Sequence, residues 1–339
     1  MLYMNDEFYE PLKPQRHKLS ISLIILEIKM EAQPPSTEIL HDFSPRILIY
    51  KDGRVERLRK DVIVPPSYDT TNRVHSKDVQ ISQGASARIY RPDHIPENTR
   101  LPILIYFHGG AYCQYSAFST MYHTFLNTLV NEARVIAVSA DYRLAPESPI
   151  PACYDDTWDI TKWVLSHSAG SGPDPWISQW ADMGRVFLAG DSGGANMSHN
   201  MLAQAGRAGL LSSPARKVEG VVLVHPFFAH GELEEIVDFL SEGKMGVLDP
   251  RFNPMTDPAR MRKEVVCQRM LVCVDKDDII RERGILYYKA LKDSGWEGQV
   301  ELLETNGGGH VFHLWDPTLE KAHEFVKVIA SFINKNGDN

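Results

Sequence analysis

Three short segments carry residues from which a nucleophilic reaction could be built. The first, Gly190-Asp191-Ser192-Gly193-Gly194, places a serine among small residues directly after an apolar run. A G-x-S-x-G pattern between a strand and a helix is typical of a sharp turn that exposes a serine hydroxyl. The flanking glycines permit the unusual backbone angles and close packing that such a turn requires. The segment predicts Ser192 as a nucleophile.

An acid and a histidine follow Ser192 along the chain. Asp277 and Asp278 come after one apolar run, and His310 comes after the next, at the end of a glycine run. Serine, then acid, then histidine is the chain order of serine hydrolases built on a parallel sheet, in which the histidine takes the serine proton. The residues alone leave open which aspartate is the acid.

The segment His108-Gly109-Gly110-Ala111 has the composition of a loop that stabilises an oxyanion. Its backbone N–H groups are expected to converge with the N–H after the serine on the developing negative charge, and losing one such donor typically costs about 10²–10³ in turnover. His108 is interpreted as an anchor of the loop, because the proton carrier comes last in this chain order. The predicted donors are Gly109, Gly110, Ala111 and Gly193.

Alternating strands and helices must position these segments. Six short apolar runs are typical of strands covered by helices on both faces. They span residues 103–107, 135–138, 186–189, 221–224, 270–274 and 300–303. Helical patterns such as residues 157–166 lie between them. The sequence therefore predicts an α/β protein with a mostly parallel, doubly wound sheet, whose reactive groups gather at the carboxyl ends of the strands.

Antiparallel strands are predicted before the first parallel strand. The Asp52-Gly53 turn between the β-rich runs 46–50 and 55–58 is typical of a hairpin. Two further strands, 74–81 and 87–90, follow it. The sheet is expected to open with an antiparallel hairpin at its edge.

The composition is that of an ordinary globular protein. Of 339 residues, 43% are apolar and 24% are charged, which excludes a collagen, a coiled coil and a disordered chain. Lys and Arg number 36 against 44 Asp and Glu, giving a formal charge of -8. A net negative charge does not favour binding to nucleic acid or anionic lipid, so neither partner is expected.

The first 37 residues differ in pattern from the rest of the chain. Residues 1–37 mix charge, proline and a short apolar stretch and are predicted to be a flexible extension, with Met30 as a candidate natural start. The apolar run 21–26 is too short for a secretory signal and Glu27 follows it. Residues 38–339 are predicted to form one α/β domain.

The cysteines indicate a reducing compartment, and we expect the cytoplasm. They show no C-x-x-C pair and no matching histidine cluster, so neither a zinc site nor a disulfide framework is predicted. No apolar run approaches the roughly 20 residues of a membrane helix. The cysteines are Cys113, Cys153, Cys267 and Cys273.

Two other interpretations of the serine segment are disfavoured. A phosphate-binding loop would carry a lysine and a longer glycine spacing. Trypsin-like proteases share Gly-Asp-Ser-Gly-Gly, but their histidine and aspartate precede the serine.

A metal site near the C-terminus is also disfavoured. His310, His313 and Asp316 come from one short segment and cannot surround a metal ion by themselves. We predict no metal and no cofactor.

Longer segments extend the pattern beyond the reactive residues. They are Tyr106-Phe107-His108-Gly109-Gly110, Asp141-Tyr142-Arg143-Leu144-Ala145-Pro146-Glu147, Gly190-Asp191-Ser192 and Gly309-His310-Val311-Phe312-His313-Leu314. With them the chain, from about Asp42 to its C-terminus, resembles the plant carboxylesterase family of the hormone-sensitive-lipase-like α/β-hydrolases.

The resemblance implies the α/β-hydrolase fold with a small, mobile N-terminal cap over the pocket. It implies a serine carboxylesterase that acts on a small-molecule ester without a cofactor. Carried over position by position, Ser192 is the nucleophile, His310 the base and Asp278 the acid. Asp278 rather than Asp277 falls in the lysine-aspartate slot of the family.

The chain departs from the family pattern in three places. Ala111 stands where many members have a third glycine, as in related 2-hydroxyisoflavanone dehydratases, and Gly193 replaces the usual alanine. The stretch 227–267 is shorter than in typical members and lacks an aromatic-rich helix of the lid. An elimination on a plant specialised metabolite, with His310 as base, is therefore an alternative. A hormone receptor like the gibberellin receptors is less favoured, because those lack the histidine that His310 supplies.

Overall fold

The computed structural model describes residues 37–210, 217–230 and 235–335. The extension predicted for residues 1–37 lies outside these ranges, apart from residue 37. No helix in the described ranges is long and apolar enough to cross a membrane.

The described strands form one large and one small sheet. They are β1 Ile39–Phe43, β2 Ile47–Tyr50, β3 Val55–Arg57, β4 Tyr68–Asp69, β5 Val74–Gln80, β6 Ala85–Pro92, β7 Leu101–Phe107, β8 Ile136–Tyr142, β9 Ala181–Asp191, β10 Val218–Val224, β11 Arg269–Asp275 and β12 Gln299–Thr305.

The described helices lie mostly between the strands of the large sheet. They are α1 Thr120–Ala133, α2 Ala152–Leu165, α3 Pro175–Trp180, α4 Gly193–Arg207, α5 Glu235–Leu240, α6 Pro258–Glu264, α7 Arg281–Asp293, α8 Phe312–Trp315 and α9 Glu320–Asn334. A short 3-10 helix, Pro254–Thr256, precedes α6.

The large sheet has nine strands in the order β12-β11-β10-β9-β7-β8-β6-β5-β4. The strands from β12 to β8 in this order run parallel, whereas β6, β5 and β4 pair antiparallel. The prediction of a mostly parallel α/β sheet with an antiparallel edge is confirmed. Each of the six apolar runs lies in a strand, except that Val135 precedes β8 by one residue. The carboxyl ends of the parallel strands lie side by side, so the loops after β7, β9, β10, β11 and β12 meet along this edge of the sheet.

The core lies on both faces of the sheet because successive strand residues point to opposite sides. Leu104 and Val222 face the side covered by α1 and α9. Ile105 and Leu223 face the opposite side, which α2, α4 and α7 cover. All four side chains are fully buried, and full burial of such a side chain contributes about 1.5–3 kcal/mol. This two-sided burial makes the strands a rigid support for the loops at their ends.

The predicted hairpin over residues 46–58 is confirmed as β2 and β3, which join β1 in the separate three-stranded sheet. This small sheet packs against the stretch 227–267, where the ring of Phe43 lies 5.1 Å from that of Phe239 in α5. The described part of the stretch holds α5, the 3-10 helix and α6, and the six-residue α5 has one aromatic side chain. The expectation that the stretch is shorter than in typical members stays a prediction.

The turn between β9 and α4 is tightly constrained. Ser192 adopts φ 53° and ψ -117°, outside the ordinary regions for a residue with a side chain. Its N–H donates to the carbonyl of Val224 in β10, 2.9 Å away. A Cβ on Gly194 would lie 2.0 Å from the carbonyl oxygen of Phe107, and one on Gly190 would lie 2.4 Å from Gly194. The turn therefore needs glycine at both positions.

We expect Gly194→Ala to lower the free energy of unfolding by about 3 kcal/mol, because the backbone of β7 has no room for the methyl group. Gly246→Ala is the control, since its Cβ would meet nothing within 4 Å. That change is expected to stay within about 0.5 kcal/mol of the parent protein. Urea unfolding measures both. Equal stabilities of the two variants would contradict the packing described for the turn.

Candidate active site

The edge where the carboxyl ends of the parallel strands meet contains a cavity of about 200 Å³. Ser192 lines it from the turn after β9, and His310 lines it from the loop after β12. Gly110 and Ala111 contribute from the loop after β7. The strand order thus brings three segments that are far apart in the sequence to one cavity.

His310 is held by the carboxylate of Asp278. The imidazole Nδ1 lies 2.9 Å from Asp278 Oδ2, and Asp278 Oδ1 accepts the N–H of Ile280 at 2.9 Å. Burial alone would raise the pKa of Asp278, but hydrogen bonds from His225 and His310 lower it below its usual value. The carboxylate is therefore ionised, and the bond at Nδ1 leaves Nε2 of His310 to accept a proton.

The two candidate aspartates occupy different environments. Asp278 is buried, whereas Asp277 is exposed and its backbone N–H donates to Asp275 Oδ1 at 3.0 Å. The structure brings Asp278, and not Asp277, to His310. Asp277 and Asp278 are neighbours in the loop after β11, and this difference of one position decides which carboxylate reaches the imidazole.

Asp275, which sequence reasoning missed, joins the loops that carry the acid and the histidine. Its carboxylate accepts the hydroxyl of Thr305 at 2.7 Å and the N–H of Gly309 at 2.9 Å. Burial raises the pKa of Asp275, but these bonds and others from the backbone lower it overall. The sequence feature that could have identified Asp275 is its place as the last residue of a buried strand.

The loop after β7 supplies fewer donors than predicted. The N–H of Gly109 already donates to Tyr122 Oη at 2.9 Å and to Asp191 Oδ1 at 3.1 Å. The N–H of Gly109 is therefore already engaged with two side chains that line the cavity, and it is not available to an oxyanion. The candidate donors that remain are Gly110, Ala111 and Gly193.

Ala111 and Gly193 lie close enough to act together. A Cβ on Gly193 would lie 3.7 Å from the backbone nitrogen of Ala111. Gly110 and Ala111 have φ of 104° and 50°. Positive φ is uncommon for a residue with a side chain, so Ala111 is held there by the surrounding loop. This conformation turns the loop back over the serine.

Asp191, the residue before the serine, fixes this loop to the serine turn. Its buried carboxylate accepts the hydroxyls of Tyr106 at 2.9 Å and Tyr122 at 3.1 Å, besides the N–H of Gly109. Burial raises the pKa of Asp191 to about 6, although these hydrogen bonds act in the opposite direction. Asp191, which is part of the serine motif, thus binds the loop after β7 that carries the candidate oxyanion donors.

The interpretation of His108 as a structural residue is confirmed. It is fully buried, its Nδ1 lies 2.8 Å from the carbonyl oxygen of Gly109, and its ring stacks on Tyr142 at 4.2 Å. His313 is also buried, with its ring 4.7 Å from that of Phe325. Burial lowers the pKa of both imidazoles, so both are neutral core residues.

A second histidine that sequence reasoning missed contacts the acid. His225 directly follows β10, and its Nδ1 lies 2.7 Å from Asp278 Oδ2. In the described ranges, His225, Asp278 and His310 are the group whose potential metal-ligand atoms lie within 4.8 Å of one another. The hydrogen bonds of both imidazoles to one carboxylate oxygen account for this proximity. The expectation that no metal is needed stays a prediction.

Comparisons with known proteins identify the family of the chain. The profile of a family described as alpha/beta hydrolase fold matches residues 104–314. Probable carboxylesterase 7 of Arabidopsis thaliana is 42% identical over 316 residues, 88% of this chain and 99% of the relative. The 2-hydroxyisoflavanone dehydratase of Glycyrrhiza echinata is 39% identical over 318 residues, 88% of this chain and 97% of the relative.

A solved structure shows the same fold. A hyperthermophilic esterase from the archaeon Pyrobaculum calidifontis superposes with a TM-score of 0.61 at 27% identity, covering 77% of this chain and 85% of the other. The resemblance drawn from the sequence motifs is confirmed. The chain belongs to the α/β-hydrolase family and, within it, to the group of the plant carboxylesterases.

Proposed function

We propose that this protein is a serine carboxylesterase that hydrolyses small carboxylic esters through an acyl-enzyme. The observation that carries the proposal is the 2.9 Å contact between His310 Nδ1 and the buried Asp278 carboxylate, with His310 and Ser192 lining one cavity. A nucleophile, a base and a group that orients the base are the parts that acyl transfer needs. The relatives named carboxylesterases support the same reaction.

The reaction begins when Nε2 of His310 takes the proton of Ser192 Oγ, which attacks the ester carbonyl carbon. The N–H groups of Gly110, Ala111 and Gly193 stabilise the oxyanion of the tetrahedral intermediate. Its collapse expels the alcohol, which receives the proton from His310. Water, deprotonated by His310, then attacks the acyl group and releases the acid. Asp278 stays ionised and holds His310 throughout.

The cavity favours a small substrate. Its volume of about 200 Å³ is below the roughly 300–1,000 Å³ of sites for drug-sized ligands. Apolar side chains from separate elements line it, among them Met121, Phe227, Ile280 and Val311. We therefore propose short acyl chains. The formal charge of -8 is the reason to propose no nucleic-acid or membrane partner.

Elimination of water is the second candidate reaction. The observation that favours it is Ala111 in the cavity wall, together with a relative named 2-hydroxyisoflavanone dehydratase at 39% identity. In this reaction His310 would remove a proton from the carbon beside a carbonyl and a carbon–carbon double bond would form as the neighbouring C–O bond breaks. The leaving hydroxyl would take the proton back from His310 and depart as water, while Ser192 would only donate a hydrogen bond. A hormone receptor needs no base, and the His310–Asp278 pair speaks against it.

We also propose the cytoplasm as the compartment. Cys113, Cys153, Cys267 and Cys273 are buried free thiols. Burial raises the pKa of Cys113, Cys153 and Cys267 to about 12, so these thiols are unreactive toward oxidants. Free thiols of this kind are typical of reducing surroundings.

We expect the protein to hydrolyse p-nitrophenyl esters from acetate to octanoate with a preference for the short chains. Ser192→Ala should lower kcat/KM by about 10⁴-fold or more, because the nucleophile is lost. Ser198→Ala is the matched control, since this buried serine on α4 donates only to the carbonyl of Gly194 at 3.0 Å. We expect it to retain activity.

Near-normal hydrolysis by Ser192→Ala would contradict the proposal. A folded parent protein that leaves every ester intact but releases water from a 2-hydroxyisoflavanone, as shown by product analysis, would establish the elimination instead.

A further inference from the structure

His225 contacts the acid of the site without lining the cavity. Its Nδ1 lies 2.7 Å from Asp278 Oδ2, the same oxygen that His310 Nδ1 approaches at 2.9 Å. Only 1% of His225 is exposed, and its ring centroid lies 5.7 Å from that of His310. Two imidazoles from the loops after β10 and β12 therefore converge on one carboxylate oxygen.

Packing alone does not explain a histidine at this position. Its Nε2 is buried and has no hydrogen-bond partner among the described residues. Its backbone has φ 47°, which costs energy for a residue with a side chain. Phe312 and Phe325 lie near its ring, so an apolar side chain would suit the surroundings. The ionised Asp278 carboxylate can only accept, so the 2.7 Å contact places the proton on Nδ1, and the N–H of Val311 lies farther from the same nitrogen, at 3.4 Å. What a histidine adds is therefore the N–H that it donates to Asp278.

His225 acts as a neutral donor. Burial lowers the pKa of His225 most, and the nearby Asp278 raises it by less. The other titratable groups that act on it are His310, Asp275 and His313, of which His313 is itself buried and neutral. A neutral N–H donor stabilises the Asp278 carboxylate without adding a charge beside the His310 imidazole.

We propose that His225 is a positioning residue, which fixes the Asp278 carboxylate against His310 and takes up part of its negative charge. This inference rests on the proposed esterase function. A carboxylate with one donor fewer would attract a protonated His310 more strongly. The His310 imidazole would then keep its proton up to a higher pH and would be a poorer base near neutrality.

The test compares His225→Asn with His225→Leu. Asn retains an amide donor near the position of Nδ1 and tolerates positive φ, whereas Leu removes the donor. We expect Leu to lower kcat by about 10²-fold with little change in KM, as expected for a misplaced base. The acidic limb of the kcat/KM profile should move to higher pH. Asn should restore both toward the parent values.

His199→Leu is the matched control. It removes another buried histidine, whose Nδ1 lies 2.9 Å from Tyr287 Oη, away from the cavity. The control should leave the pH profile unchanged. Active-site titration with an organophosphate corrects every rate for the folded fraction.

An unchanged acidic limb and kcat in folded His225→Leu would overturn the proposal, as would equal losses in the Asn and Leu variants. NMR titration of the His310 ring distinguishes failure of the positioning role from failure of the esterase function, because the titration needs no turnover. A higher titration midpoint in His225→Leu supports the positioning role even if no ester is hydrolysed, and an unchanged midpoint overturns it.

A second inference concerns charge in the cavity wall and is independent of His225. Arg46 and Arg59 both line the cavity, although the chain as a whole carries a formal charge of -8. The Arg59 guanidinium lies 4.8 Å from the ring centroid of Trp315, whose Nε1 donates to the carbonyl of His310 at 3.0 Å. A positive charge is thus held against Trp315, in the wall of the cavity that His310 also lines.

Within the described ranges, no carboxylate forms an ion pair with either arginine. Asp191 is the acid in the cavity wall, and it is buried among its three donors. Asp61 is nearby in the sequence but accepts the hydroxyl of Ser119 at 2.7 Å and does not line the cavity. The polar wall therefore offers guanidinium donors that pair with no carboxylate in the part of the chain that the structure describes.

We infer that the ester substrate carries an anionic group, such as a carboxylate, that Arg46 and Arg59 bind. A guanidinium matches a carboxylate through paired hydrogen bonds, and the attraction strengthens where water is partly excluded. This inference also rests on the proposed function, for which it names a substrate class.

Two pairs of esters test it. Mono-p-nitrophenyl glutarate is compared with p-nitrophenyl pentanoate for an acyl-side anion, and 4-acetoxybenzoate with phenyl acetate for an alcohol-side anion. We expect the anionic member of one pair to have a kcat/KM about tenfold higher, mainly through KM, and expect the advantage to shrink as salt rises. Arg46→Gln and Arg59→Gln should each reduce it. Arg185→Gln, outside the cavity wall, is the control.

Preference for the neutral member in both pairs would overturn the inference. An anionic preference that survives both arginine substitutions would overturn it as well. If the neutral esters also remain intact, the failure lies with the proposed esterase function, whereas hydrolysis of neutral esters alone leaves that function standing and rejects the substrate class.

Discussion

The ionised carboxylate of Asp278 is the group on which the rest of the site depends. A buried charge is tolerated only when hydrogen bonds replace its lost hydration, and Asp278 receives them from His225, His310 and the N–H of Ile280. These donors come from the loops after β10, β11 and β12. Asp191 does the same for the loops after β7 and β9 through Gly109 and two tyrosines. Two buried carboxylates therefore hold five loops together at one edge of the sheet.

The sequence was sufficient for the features that depend on local pattern. Apolar runs predicted the parallel strands, and small residues around Ser192 predicted the turn, because sterics leave room only for glycine at positions 190 and 194. The contributions of His225 and Asp191 depend on which strands become neighbours, which no local pattern contains. Gly109 was assigned wrongly for a similar reason, since the direction of its N–H follows from the conformation of the loop and from the position of Asp191.

The chemistry and the selectivity of this site come from different parts of the chain. Ser192 and Asp278 follow β9 and β11, whose side chains are largely buried on both faces, so their positions are rigid. His310 follows the partly exposed edge strand β12, and its loop is held in place by Asp278 and Asp275. The cavity walls include Pro45 of the small-sheet region and Phe227 at the start of the stretch 227–267. Changes in these peripheral segments can alter which substrate fits without moving the reacting groups, which is consistent with relatives named both carboxylesterase and dehydratase.

The central claim is that Ser192 is a nucleophile activated by the His310–Asp278 pair. Diethyl p-nitrophenyl phosphate tests it most directly, because phosphorylation of the serine releases p-nitrophenol and leaves a stable adduct. We expect a burst of one p-nitrophenol per chain and, by mass spectrometry, the adduct on the peptide that contains Ser192. Asp278→Asn should react far more slowly, whereas Asp277→Asn should react like the parent protein. A missing burst, an adduct on another residue, or equal rates for the two aspartate variants would contradict the account.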